Sequence, residues 1–205
     1  MKQATTRILY NYWNDVRGTR LAPTRFEIEP SRIAPVLSET FILEEAGTDG
    51  YRFRLVGTRI GDHMGRDLRG TDFLDLADLD RSLLEKAMEA VTDDGAALLV
   101  ELEADTADGR SASFEAVVMP LIHPAHRVTR YLGAFCAIDA PFWLGNEPLL
   151  STSLVRHELI WPEARLQEGA ADNDRQLPFA PEFAQARVVR SDRRQFRILD
   201  GGRKG

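Results

Sequence analysis

The sequence YRFRLVGTRIGDHMGRDLRG, residues 51–70, shows the clearest local order in the chain and decides its fold. Tyr51, Phe53 and Leu55 fall on one face of a predicted strand, and arginines alternate with them on the other face. This period of two is typical of a half-buried strand. Gly57 breaks the run, and an isoleucine and a methionine follow four residues apart, as on one face of a short helix. The stretch therefore predicts a strand, a sharp turn, a short helix that ends at a glycine, and a second turn.

Further strands and helices are predicted on both sides of this stretch. A first helix ends at Gly18, and an irregular arm with three prolines follows it. A strand at residues 40–44 precedes the central stretch, and a long helix is expected at residues 80–94. Three more strands are predicted at residues 97–104, 111–122 and 129–138. This order predicts an α+β fold, with a five-stranded antiparallel sheet and helices on one face.

Two motifs carry a resemblance to a known family. The first helix and arm read YW…R-G-x-R-x-A-P-x-R over residues 12–25, and the core reads YRFRLVGTRI…GRDLRG. Together they resemble the PAS domain family, and within it a PAS-like group of alphaproteobacterial type. The resemblance spans about residues 10–138. It implies the strand order 2-1-5-4-3 and a cavity between the sheet and the helices.

We expect three parts in the chain: an N-terminal helix and arm at residues 1–38, a PAS-like core at residues 39–140, and a C-terminal extension at residues 141–205. The extension is predicted to be partly flexible, with a strand at residues 154–160 and a basic end. The formal net charge of −6 does not favour broad binding to nucleic acid. Neither a signal peptide nor an apolar run of roughly 20 residues is evident, so a cytoplasmic location without membrane contact is expected.

The cavity that the resemblance implies has two possible interpretations. Its walls could enclose a small molecule, because ligand sites are concave and mostly apolar. The same side chains could instead pack against one another as an ordinary core. The candidate ligand-binding residues are Phe53, Leu55, Thr58, Ile60, His63, Met64, Phe73, Met88, Phe114 and Phe135.

The sequence does not favour haem, flavin or a metal. His63 lies on the early short helix rather than on the long one, and the wider haem signature is missing. The flavin photosensors of the PAS family need a cysteine in an NCR-like helix, whereas the single cysteine here, Cys136, lies in the last predicted strand. His123 and His126 could share a metal, but no third ligand is evident. We therefore predict no metal site, and the identity of any cofactor stays open.

Three arginines, Arg17, Arg20 and Arg25, cluster where the arm begins. Because guanidinium groups match carboxylate and phosphate with two parallel hydrogen bonds, an anion clamp is one hypothesis. The alternative is structural pairing with the nearby acidic residues Glu27, Glu29 or Asp15.

The first helix carries an apolar stripe of Leu9, Tyr12, Trp13 and Val16. This stripe must be buried on the sheet, on a second subunit, or on both. We expect it to form the surface of a homodimer.

The leading functional hypothesis is a non-enzymatic sensory or regulatory module that binds a ligand or a protein partner. Ser-His-Asp, phosphate-loop and CxxC patterns are not found, and the carboxylates form no recognisable acid–base pair. Two alternatives remain. The protein could be a ligand-free adaptor for interaction or localisation, or, less favoured, an enzyme that acts on a small molecule in the cavity.

Overall fold

Six antiparallel strands form one sheet in the computed structural model, which describes residues 1–47, 50–123 and 127–162 apart from the side chains of residues 78 and 79. The order across the sheet is β2-β1-β5-β4-β3-β6. The α+β class is confirmed, and the first five strands have the order 2-1-5-4-3. The strands are β1 (Thr40–Glu45), β2 (Tyr51–Val56), β3 (Ala97–Thr106), β4 (Ser111–Ile122), β5 (Val128–Ile138) and β6 (Leu149–Ile160).

The sixth strand extends the predicted core. Sequence analysis predicts a strand only at residues 154–160, but β6 begins at Leu149 and pairs with β3 along its length. The sheet therefore has six strands where five were expected. The predicted boundary at residue 140 falls inside the compact unit that contains the sheet. The predicted linker and the basic end lie outside the described residues.

One face of the sheet, called the inner face here, is covered by α2 (Thr58–Met64), a 3-10 helix (Phe73–Asp80) and α3 (Arg81–Asp94). This is the arrangement that the sequence predicts. The helix α3 turns its apolar stripe of Leu84, Ala87, Met88 and Val91 toward the sheet, and these side chains are buried. No helix in the described ranges is long and apolar enough to cross a membrane.

The opposite, outer face is covered by α1 (Ala4–Arg17) and by the arm, residues 18–39, which contains 3-10 helices at Arg25–Glu27 and Pro30–Glu39. The sequence predicts these N-terminal elements as an extension outside the core, and they cover the face of the sheet that α2 and α3 leave open. The cause is the sheet itself, whose outer face carries buried apolar side chains and needs its own cover. These include Ile42, Leu99, Val117, Met119, Leu121 and Leu132.

The apolar stripe of α1 lies against this outer face. Leu9 and Trp13 are completely buried and Tyr12 nearly so, while Val16 is partly buried against the same cluster. The indole Nε1 of Trp13 also donates a hydrogen bond to the carbonyl of Pro120, at 2.8 Å. The stripe is thus used within the chain, which corrects the prediction that it forms a dimer surface.

A buried carboxylate fixes the start of α1. Glu115 on β4 accepts hydrogen bonds from the amides of Lys2 (2.6 Å) and Gln3 (3.0 Å), and also from the hydroxyl of Thr6. Burial alone would raise the pKa of Glu115, but these hydrogen bonds and the N-terminal charge outweigh it and hold the pKa below its usual value. Glu115 therefore satisfies amide donors at a helix start that has no side-chain cap of its own.

We predict that Glu115→Gln lowers the free energy of unfolding by about 1.5–3 kcal/mol at neutral pH, because charge-assisted hydrogen bonds are lost and an amide NH2 faces backbone donors. A carboxylate whose pKa is lowered by folding stabilises the fold above its unfolded-state pKa of 4.5. That stabilisation disappears as the pH falls through the lower folded-state pKa. Denaturant unfolding of both proteins across this range should show their stabilities converging in acid. A difference that is independent of pH would contradict the role given to the charge.

We also predict that Trp13→Ala lowers the free energy of unfolding by about 3–5 kcal/mol, because it leaves a cavity between α1 and the sheet. Ile8→Ala, on the exposed side of the same helix, is the matched control and should change stability by less than about 0.5 kcal/mol. Denaturant unfolding measures both values. If Trp13→Ala instead left stability intact and lowered the oligomeric mass in light scattering, the stripe would be a subunit contact after all.

Candidate functional site

The predicted ligand cavity on the inner face is lined by side chains that pack against one another. The rings of Phe114 and Phe135 stack with centroids 4.8 Å apart, and Phe53 contacts Phe41 edge to face at 5.3 Å. A further ring, Phe73, lies 6.1 Å from Phe53. Seven of the ten candidates belong to this one buried cluster: Phe53, Ile60, Met64, Phe73, Met88, Phe114 and Phe135.

The remaining three candidates lie at different places. Thr58 begins α2, is exposed, and lines a surface pocket of about 460 Å³. His63 is partly buried at the edge of the aromatic cluster, with its ring centroid 6.2 Å from that of Phe114. Its Nδ1 is buried without a hydrogen-bond partner among the described residues, and burial lowers the pKa of the imidazole. The third, Leu55, is 52% exposed on the other side of the sheet.

A β-bulge explains the position of Leu55. On β1, Leu43 pairs with Phe53 and Ile42 pairs with Leu55, so Arg54 has no partner in the register. One extra residue in a strand shifts every later side chain to the opposite face. Phe53 therefore points to the inner face and Leu55 to the outer face, although strict alternation places them together.

An apolar groove lies on the outer face between the arm and the β1–β2 edge of the sheet, and we call it the arm groove. It has a volume of about 310 Å³. Gly57 forms part of its wall, and a Cβ there would lie 2.3 Å from the carbonyl oxygen of Ser38, so only glycine permits this close approach. The other lining residues are Arg25, Ile28, Pro30, Ile33, Leu37, Thr40, Phe41, Ile42, Leu55, Val56 and Leu132.

The arm groove continues into a second pocket with a different character. This pocket has a volume of about 390 Å³ and shares Arg25, Ile42 and Leu55 with the groove. Its other walls are the arginines Arg54 and Arg130 and the ring of Phe26. We call it the arginine pocket, since three of its six lining residues are arginines.

Of the three predicted clamp residues, Arg17 and Arg20 are held by the chain itself. The buried Arg17 donates hydrogen bonds to Asn14 and to the carbonyl of Arg20, and lies over the ring of Trp13. Arg20 donates to both carboxylate oxygens of Glu27, at 2.9 Å each. Arg20, with help from the Thr24 amide, holds the pKa of Glu27 at about 2. Arg20 is thus paired with an acidic residue, as in the structural alternative, and Arg17 binds Asn14 and a backbone carbonyl.

Arg25 differs from the other two. It is partly buried, and its guanidinium makes no hydrogen bond or ion pair with any of the described residues. It lies where the arm groove meets the arginine pocket. The structure therefore separates the three clamp residues, and it places only Arg25 in a concave surface that could accept a ligand.

Sequence reasoning missed most of this surface. Arg54 and Arg130 come from strands whose pairing the sequence does not specify, and both form ion pairs with Glu44. Phe26 is 81% exposed although it is a large aromatic residue. The available signal was the arm itself, in which apolar and charged residues alternate with prolines.

Cys136 lies on β5. Its thiol is buried, and burial raises its pKa to about 12. Within the described ranges, no three side chains of the metal-binding types come together. His126 lies outside those ranges.

Comparison with known proteins identifies the family. The family model for the PAS domain matches residues 1–136, about two thirds of the chain, and the chain belongs to the PAS domain family. The match includes α1, the arm, strands β1 to β4 and most of β5, and it ends before β6. The alphaproteobacterial type of the resemblance stays a prediction.

Three solved structures are among those to which this chain is similar. The dark structure of the blue-light photoreceptor Aureochrome1 LOV is 15% identical, with a TM-score of 0.41 over 52% of this chain and 79% of that one. A PAS domain from Colwellia psychrerythraea is 14% identical, with a TM-score of 0.38 over 53% and 95%. A Rhodobacter sphaeroides LOV protein is 12% identical, with a TM-score of 0.38 over 56% and 71%. No match was found among curated protein sequences.

The packed inner face makes a testable prediction. Phe135→Ala should lower the free energy of unfolding by about 3–5 kcal/mol, because the ring is buried in the stack with Phe114. Phe142→Ala is the matched control, since that ring is 95% exposed, and its effect should stay below about 0.5 kcal/mol. Denaturant unfolding measures both. A Phe135 variant as stable as the original protein would indicate an interior that is loosely packed or open.

Proposed function

We propose that this protein is a non-catalytic regulatory module of the PAS type, which binds a ligand in the arm groove and passes the signal to a protein partner. The observation that carries this proposal is the groove itself: a concave, mostly apolar surface of about 310 Å³, lined in part by Arg25, whose guanidinium has no partner among the described residues. Its size lies at the lower end of the roughly 300–1,000 Å³ typical of small-molecule sites. The proposal moves the ligand from the inner face, where sequence analysis expected it, to the outer face.

The contacts of the arm offer a route for the signal. Ile28 and Ile33 line the groove and also belong to the buried cluster that contains Leu9 and Trp13 of α1. The hydroxyl of Tyr12 accepts a hydrogen bond from the amide of Glu29 at 2.8 Å, which ties the arm to the helix. A ligand can shift the position of α1 only if it binds one arrangement of the arm better than another. Because the groove and α1 share this buried cluster, a change in the arm on binding would also change the packing of α1.

A second candidate is a ligand-free adaptor that works through protein contacts. It is favoured by β6, which forms one edge of the sheet and has several exposed apolar residues in or beside it. An edge strand presents unpaired backbone groups that can pair with another chain, a second copy included. The exposed apolar residues are Phe142, Leu150, Val155 and Trp161.

The proposed function can be tested by blocking the groove. The full chain is incubated with a small-molecule extract of bacterial cells and dialysed, and bound compounds are detected by native mass spectrometry. We expect a stoichiometric adduct, and Leu37→Trp should abolish it because the indole would occupy the groove. Leu83→Trp on α3 is the matched control, since Leu83 (41% exposed) and Leu37 (42%) are equally accessible, and it should keep the adduct.

The same samples test for regulation. Binding should change hydrogen exchange in the arm and in α1, because they share the buried cluster next to the groove. An adduct that survives in Leu37→Trp would place the ligand elsewhere. The absence of any adduct, together with self-association that is lost on substitution of Val155 by Glu, would favour the adaptor.

A further inference from the structure

We propose that the ligand of the arm groove is an amphipathic anion: an apolar chain or ring system that carries one carboxylate or phosphate group. The inference rests on the proposed function and names the chemical class that its site selects. The anionic group would bind Arg25 at the arginine pocket, and the apolar part would lie in the groove.

The apolar half of the site is well defined. Ile28, Ile33 and Leu37 from the arm face Ile42 and Leu132 from the sheet across the groove. Arg25 is the only charged residue among the twelve that line it. A compact, fully hydrated ion would leave these walls uncovered. An apolar chain, in contrast, would remove them from water and gain free energy in proportion to the area buried.

The charged half carries an excess of positive charge. Three arginines line the arginine pocket, and Glu44 is the acidic residue that pairs with Arg54 and Arg130. Glu27, the acidic neighbour of Arg25 in the chain, already binds Arg20 with both oxygens and accepts hydrogen bonds from Thr24. Arg25 therefore has no carboxylate of its own among the described residues, and the pocket is complementary to an added negative charge.

Local contacts fix the main chain at Arg25 before any ligand binds. It begins the 3-10 turn Arg25–Glu27, in which the Glu27 amide donates to the Thr24 carbonyl at 3.2 Å. The turn is anchored to the sheet through a bridge between Thr24 and Ile122. Such pre-organisation lowers the conformational entropy that binding has to overcome. Phe26, exposed beside Arg25, can then cover part of the apolar chain.

The apolar arm groove and the arginine pocket together are not matched by a ligand that is only charged or only apolar. Free phosphate or acetate would use Arg25 alone, and a neutral hydrocarbon would leave its guanidinium without a counter-charge next to the bound chain. An apolar cation would place like charges together. Only a molecule with an apolar body and an anionic end uses the whole surface.

Isothermal titration calorimetry on the full chain tests the inference, with dodecanoate, dodecyl phosphate, dodecylammonium and acetate as probes below their micelle concentrations. We expect both long-chain anions to bind. Dodecylammonium should bind at least about tenfold more weakly, since it loses a charge-assisted hydrogen bond and meets like charge. Acetate should show no measurable binding.

Two substitutions test separately how Arg25 and the apolar groove contribute to binding. Arg25→Gln should weaken both long-chain anions by about tenfold or more. Its melting temperature without probe should stay unchanged, because the guanidinium has no partner among the described residues to lose. Lys86→Gln on α3, which removes the same charge from the inner-face side, is the matched control and should leave binding unchanged. Leu37→Trp should abolish binding of every long-chain probe.

The outcomes distinguish the two proposals. If dodecylammonium binds as well as dodecanoate, or Arg25→Gln has no effect while Leu37→Trp abolishes binding, the groove is a ligand site but the anionic class is wrong. If no probe binds and the cell-extract adduct is also absent, the proposed function fails as well. Binding to vesicles of anionic phospholipid without binding of the monomeric probes would overturn the inference in favour of a membrane surface.

Discussion

The structure depends on one constraint: the central strands are apolar on both faces, so the sheet must be covered twice. From Phe114 to Leu121, every side chain of β4 is buried, whichever face it points to. Helices α2 and α3 cover the inner face. On the outer face, α1 covers part of the sheet, and the arm covers most of the rest. The arm stops short of sealing the β1–β2 edge, and the arm groove is the space that remains. The groove is thus a consequence of the same burial requirement that places α1.

Polar contacts fix the position of α1 and the arm on the outer face of the sheet. An apolar helix on an apolar face could slide, because the hydrophobic effect has no direction. Glu115 on β4 accepts hydrogen bonds at the start of α1, and the Pro120 carbonyl on the same strand accepts one from Trp13 in the second half of the helix. These directional contacts prevent such sliding. The arginines that looked like an anion clamp serve a similar purpose, since Arg17 closes the last turn of the helix and Arg20 fixes the following arm. Charge near a helix end is therefore a poor guide to ligand binding unless its partners are known.

The sequence predicted the elements better than it predicted the site. Alternation in residues 97–104, the apolar stripe of α3 and the glycines around α2 are local signals, and the strands and helices follow from them. Leu55 is an example of what the sequence did not predict. A single bulge at Arg54 turns its side chain to the opposite face of the sheet, and no local pattern predicts the bulge. The role of Arg25 was equally hidden. It differs from Arg17 and Arg20 in the partners that folding brings. Glu27 lies close in sequence to both Arg20 and Arg25, and the sequence does not show that Arg20 is the arginine with which it pairs.

The packing of the inner face bears on where a ligand can bind. Opening a void of about 300 Å³ among packed rings would destabilise the chain by about 7 kcal/mol before a ligand filled it. That is a large part of the roughly 5–15 kcal/mol that holds a typical domain together. The arm groove needs no such opening, since it exists in the folded chain. It also lies against the arm, which shares buried contacts with α1. A ligand on the outer face would therefore act directly on the arm and α1, without a change in the sheet.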